Sequence, residues 1–166
     1  MTGQLVRLVD ESGNAKVESL CTLETAEEEK SADGVYYGSY VSAMFVQNGE
    51  VVRLAENYGE GETSYVVERY ALDTGKLIGR SGADNTLRTL CSYKDGKYLA
   101  LVQPQPGPED MELPMSQLAI YDPATGEMNP VATLSGSYLN NVTYDPQSDT
   151  AYYCCDATIY AVPMAT

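Results

Sequence analysis

Any chemistry in this 166-residue chain falls to carboxylates and thiols, because it holds 24 Asp and Glu, four Cys and no His. Without imidazole, neither a Ser-His-Asp nor a Cys-His nucleophile can be assembled. Cys21, Cys91, Cys154 and Cys155 lack C-x-x-C spacing, so a mixed zinc site has no ligand set. Cys154 and Cys155 are adjacent, point to opposite faces of a strand, and read as small buried apolar residues. No phosphate-cradling motif occurs; GEGETS from Gly59 has two glycines but no helix after it. D-P-Q-S-D from Asp145 to Asp149 offers oxygens to calcium, yet turn chemistry accounts for those residues. Paired carboxylates of the glycosidase kind are the catalytic option left. The expectation is a protein that is not an enzyme, with no cofactor and no metal.

The elements that would position these groups are read from the turns. One series ends an apolar run at Asp10, Asp73 and Asp122, with D-T-G-K and D-P-A-T-G-E as its later members. A second series lies between them, at Asn48-Gly49, Asp95-Gly96 and around Asp145. Asn-Gly and Asp-Gly suit tight hairpins because both central residues tolerate positive φ. Successive members of each later pair lie roughly 50 residues apart, the size of a four-stranded propeller blade.

The fold expected is all-β: antiparallel four-stranded blade repeats forming an incomplete β-propeller in a single segment. One full blade spans 35–80, with strands about Tyr40–Gln47, Glu50–Glu56, Tyr65–Leu72 and Lys76–Arg80. The next spans 86–134, with strands about Leu87–Tyr93, Lys97–Gln103, Gln117–Tyr121 and Met128–Leu134. A partial unit at 1–22 supplies third-strand-like Leu5–Val9 and fourth-strand-like Ala15–Leu20. A partial blade at 138–163 supplies Leu139–Tyr144, Thr150–Cys155 and Thr158–Val162. The acidic stretch from Leu23 to Gly34 reads as a solvated linker. With these turns on apolar strands, the chain resembles bacterial propeller repeats of the YVTN or quinoprotein-like kind. By analogy with that family, an extracytoplasmic location is favoured.

The formal charge of −14 opposes nucleic acid and anionic lipid surfaces, and no apolar run is long enough for membrane insertion as a helix. Long loops gather at one end of the expected blades: Glu56–Thr63, Ser81–Thr86 and Gln103–Ser116. Loops on a rigid scaffold are where binding concentrates. The candidate ligand or partner contacts are therefore Tyr58, Glu60, Glu62, Arg80, Asp84, Asn85, Glu109, Asp110 and Glu112. The leading function is a non-enzymatic binding or scaffold module for a protein, carbohydrate or small polar ligand. The alternatives are part of a carboxylate-dependent glycosidase, or a structural spacer. Strand edges at Leu5–Leu20 and Leu139–Val162 are expected to support a homodimer.

Overall fold

The computed structural model describes residues 3–23, 38–59, 62–83, 86–104, 115–136 and 139–164. Strands make up most of them and α-helix none, and among the described residues no helix is long and apolar enough to cross a membrane. The strands are β1 Gly3–Glu11, β2 Asn14–Leu23, β3 Gly38–Gln47, β4 Glu50–Gly59, β5 Glu62–Ala71, β6 Leu77–Ala83 and β7 Leu87–Ser92. They continue with β8 Tyr98–Val102, β9 Gln117–Tyr121, β10 Met128–Thr133, β11 Leu139–Asp145, β12 Thr150–Cys155 and β13 Thr158–Pro163. Four antiparallel sheets result, each a meander in chain order: sheet 1 (β1, β2), sheet 2 (β3 to β6), sheet 3 (β7 to β10) and sheet 4 (β11 to β13).

The turns form as their residues dictate. Asn48 and Gly49 both take positive φ, and Asp95 and Gly96 do likewise, as tight strand connections of matching twist require. The turns after β5 and β9 carry one hydrogen-bond pattern: Gly75 N–H donates to Ala71 O and Gly126 N–H to Asp122 O, each at 2.8 Å. Thr74 and Thr125 each accept the N–H two residues on. The shared Thr-Gly pair, not the aspartate, is thus the equivalent position in the two turns.

Sheets 2, 3 and 4 stack face to face, which explains why β8 is buried along its whole length. Its side chains alternate: Tyr98, Ala100 and Val102 meet Val52, Leu54, Tyr65 and Val67 of sheet 2, while Leu99 and Leu101 meet Val142, Ala151 and Tyr153 of sheet 4. Each fully buried Leu or Val there is worth roughly 1.5–3 kcal/mol. The first strands are close neighbours, β3 against β7 and β7 against β11, whereas the outer strands β6 and β10 make no comparable approach.

The β1–β2 hairpin is attached differently. Only its open end is buried, where Leu5 and Leu23 pack on Val51 and Tyr70 and the Cys21 thiol approaches Leu72 O at 3.6 Å. Those contacts lie at the end of sheet 2 that carries the Asn48-Gly49 and Asp73 turns. The hairpin's own turn, at Ser12 and Gly13, points elsewhere, whereas a hairpin of third and fourth strands would bring its turn to that end. Beyond its root the arm is two-faced: Arg7 pairs with Glu18 at 2.9 Å, while Val6, Leu8 and Val17 are 46, 73 and 62% exposed.

Candidate functional site

The stack has two ends. One gathers the short turns, shown by Leu72 N–H donating to Gly49 O, by the Gln47 carboxamide donating to Tyr93 O at 2.7 Å, and by the Lys94–Asp149 ion pair at 2.6 Å. The opposite end carries the loops in which binding residues were expected. Of those residues, Glu60, Asp84, Asn85, Glu109, Asp110 and Glu112 lie outside the described ones. Tyr58 and Glu62 belong to strands instead of a loop, with Tyr58 opposite Thr63 and Glu62 opposite Gly59 in the ladder. β4 runs to Gly59 and β5 starts at Glu62, beyond the expected limits, because Tyr, Thr and Ser suit a strand ladder there.

Arg80 is placed on β6, where its guanidinium reaches Glu68 Oε1 at 3.3 Å. Glu68, only 2% exposed, also accepts from Arg53 and from the Tyr70 hydroxyl at 2.9 Å. Burial and the adjacent Glu68 push the Tyr70 hydroxyl up to about 12. Arg80 therefore acts first as one arm of a buried cluster. Glu68 was legible as an acid inside the apolar run YVVERYAL, but its two arginine partners emerge only from strand register.

At the loop end of the interface between sheets 2 and 3, a second network forms. Arg88 Nη1 donates to the Tyr65 hydroxyl at 3.4 Å, which donates to Glu56 Oε1 at 3.0 Å. Burial, with the Glu56 carboxylate next, raises the Tyr65 hydroxyl above its ordinary range. Arg88 Nε is shut off from solvent and has no hydrogen-bond partner among the described residues. Nearby, Ser81 Oγ and the Tyr121 hydroxyl lie 2.7 Å apart, tying β6 to sheet 3.

The short-turn end holds a cavity of about 140 Å³ lined by Gln47, Asn48, Glu50, Arg69, Gly96 and Tyr98. Gln47 donates to two carbonyls, Tyr93 O and Lys97 O, which fixes its amide orientation and leaves Oε1 buried without a partner. Burial pushes the Tyr98 hydroxyl to about 12, so it stays protonated at neutral pH. Arg69 and Glu50 balance each other at 3.4 Å. Such a neutral, mixed lining suits water or one small polar group.

The thiols are all free, and burial raises Cys91 to about 12, which suppresses its thiolate. Among the described residues no cluster of Cys, Asp and Glu could hold a metal ion. Asp145 is instead held low by the Ser148 hydroxyl and the Gln147 N–H, and Asp149 by Lys94 and the Tyr144 hydroxyl. No protein-family model, curated protein or solved structure matches this chain.

Proposed function

We propose that the chain is a non-enzymatic binding or scaffold module built from propeller-type repeats, presenting its loop end to a protein, carbohydrate or small polar ligand. The observation that carries this reading is the convergence of β3, β7 and β11 in successive meander sheets, with Arg88, Tyr65 and Glu56 networked where the loops emerge. The repeated Thr-Gly turns support the same reading. Among the described residues, the carboxylates Glu56, Glu50 and Glu68 are engaged, by Tyr65, by Arg69 and by two arginines respectively. The test is a glycan array run beside turnover assays on chromogenic esters, phosphates and glycosides. Saturable binding without turnover is expected, weakened about tenfold when residues 105–114 are replaced by a short Gly-Ser linker. Turnover abolished by one carboxylate substitution would contradict it.

The strand edges favour self-association as well. The fourth strands β6 and β10 carry edge-blocking features, Arg80 on one and Pro130 with a bulge on the other, whereas β13 has no charge and no bulge and carries its proline, Pro163, only at its last position. Ile159 on β13 is 70% exposed, and the arm's apolar face is bare. Unpaired edges of this kind template association. Light scattering should give twice the 18.0 kDa chain mass at about 100 µM, with both Leu8→Lys and Ile159→Lys shifting the midpoint about tenfold. A strictly monomeric chain would remove the idea.

A further inference from the structure

Asn48 is the one asparagine in the chain that precedes a glycine. The pair turns β3 into β4, with φ of +52° at Asn48 and +78° at Gly49. Asn48 is exposed, and among the described residues nothing hydrogen-bonds its carboxamide. Gly49 accepts from Leu72 N–H at 2.9 Å through its carbonyl, while its own N–H takes no part in the turn hydrogen bonds described. On the side-chain side Gly49 stands clear, since a Cβ there would meet nothing within 4 Å.

These features meet the needs of an intramolecular reaction. The backbone nitrogen after an asparagine can reach the side-chain carbonyl carbon by closing a five-membered ring, and a glycine at that nitrogen carries no Cβ to crowd the approach. The nitrogen is a weak nucleophile until it loses its proton, so hydroxide drives the step. The bond from Gly49 N to Asn48 Cγ forms, the Cγ–Nδ2 bond breaks, and the amide nitrogen leaves as ammonia. Water then opens the cyclic imide at one of its two carbonyls. Opening at Cγ leaves an ordinary aspartyl residue, and opening at the backbone carbonyl leaves an isoaspartyl link whose main chain is one carbon longer. The other turns and asparagines lack one part of this set. Asn141 also has positive φ but is followed by β-branched Val142, paired with Tyr153. Asn129 precedes Pro130, which has no N–H to lose. Asp95 and Gly96 copy the signs of φ, yet a carboxylate repels the attacking anion.

We propose that Asn48 is a self-modifying site, deamidated by the Gly49 nitrogen, and that the isoaspartyl product loosens the junction of sheets 2 and 3 at the short-turn end. An added main-chain carbon does not fit a two-residue turn that keeps Gln47 opposite Glu50. Displacing that turn moves Gly49 O away from Leu72 N–H and draws the Gln47 carboxamide off the Tyr93 and Lys97 carbonyls of sheet 3. Either product also brings a new carboxylate to the cavity that Asn48 lines with Glu50 and Arg69, where Arg69 already balances Glu50. The loop end is not involved, so the inference stands apart from any ligand held there.

The test is incubation of the folded full chain at about pH 6 and about pH 8, followed by peptide mass mapping, ammonia release and enzymatic methylation of isoaspartyl carboxylates. Conversion should concentrate at Asn48, at least about tenfold faster than at any other asparagine or at Asp95, and about tenfold or more faster at the higher pH. Gly49→Ala should slow it about tenfold. Should that variant lose its fold by far-UV circular dichroism, Asn48→Gln, whose amide must close a larger ring, carries the same decision. The isoaspartyl form, separated by ion exchange, should exchange its Leu72 amide about tenfold faster than the unconverted chain. Asn48→Asp, which has the charge without the longer backbone, should keep Leu72 protected. Conversion seen only in urea and absent from the folded chain would overturn the proposal. So would conversion spread evenly over the asparagines or indifferent to pH. Unchanged Leu72 exchange in the isoaspartyl form would overturn the loosening of the junction.

Discussion

Gly75 and Gly126 occupy equivalent turns with nearly equal φ, +71° and +76°, yet their surroundings differ. A Cβ on Gly75 would overlap the Thr22 carbonyl at the root of the arm, while one on Gly126 would meet nothing. Gly126→Ala should therefore cost only the left-handed strain, about 1–2 kcal/mol. Gly75→Ala should cost more and also loosen β1 and β2. Urea midpoints for both variants, with amide exchange of Val6 to Leu20, check this; equal costs would mean that the arm is not seated on that turn. The sequence shows a glycine in both turns and cannot show which one bears a neighbour. The same limit hid Gln47 and Arg88, whose unpartnered atoms depend on carbonyls and hydroxyls contributed by other strands.

At the scale of elements, the turn chemistry was enough to place most strands. β9 and β12 run over the residues expected from the apolar runs, because Pro, Gly and Asp punctuate both ends. The hairpin of β4 and β5 was undercounted, since Asn57 to Ser64 contains two glycines that read as loop while its Tyr and Thr sustain the ladder. The orientation of the β1–β2 arm was not legible, because no residue within a hairpin states which end it presents to its neighbour. Register also created the Glu68 cluster, where Arg53 and Arg80 flank one carboxylate on β5. Removing that carboxylate leaves Arg53 buried without its ion pair, so Glu68→Ala should destabilise by about 3–5 kcal/mol. The double variant Arg53→Met with Glu68→Leu should recover most of that loss. Thermal denaturation of the three proteins decides it, and an additive double variant would mean that the pair is not coupled.

For the whole molecule, stability should respond to alkali in a set direction. Cys91, ordinarily near 9.0, and Tyr70 and Tyr98, ordinarily near 10.0, are each pushed to about 12 by burial. The unfolded chain loses these protons first, so between pH 9 and 12 it binds fewer protons than the folded one and stability falls as pH rises. Stability from these groups is therefore fully present below pH 9 and drains above it. Cys91→Ala should delay the onset toward pH 10, read from urea midpoints across that range. An unchanged onset would show that Cys91 is not shielded as described.

The central claim is that the sheets fan out from converging first strands, as propeller-type repeats do. Electron–electron distances between spin labels on site-specifically introduced non-natural residues test it directly while leaving the four cysteines intact. Labels at Met44 on β3 and Asn140 on β11 report the inner side of sheets 2 and 4, and labels at Ile78 on β6 and Ile159 on β13 report the outer side. Sheets stacked in parallel at roughly 10 Å per layer would place both pairs about 20 Å apart. The fan predicts an outer distance longer than the inner one by about 10 Å or more, one further layer's worth. Equal inner and outer distances would contradict it.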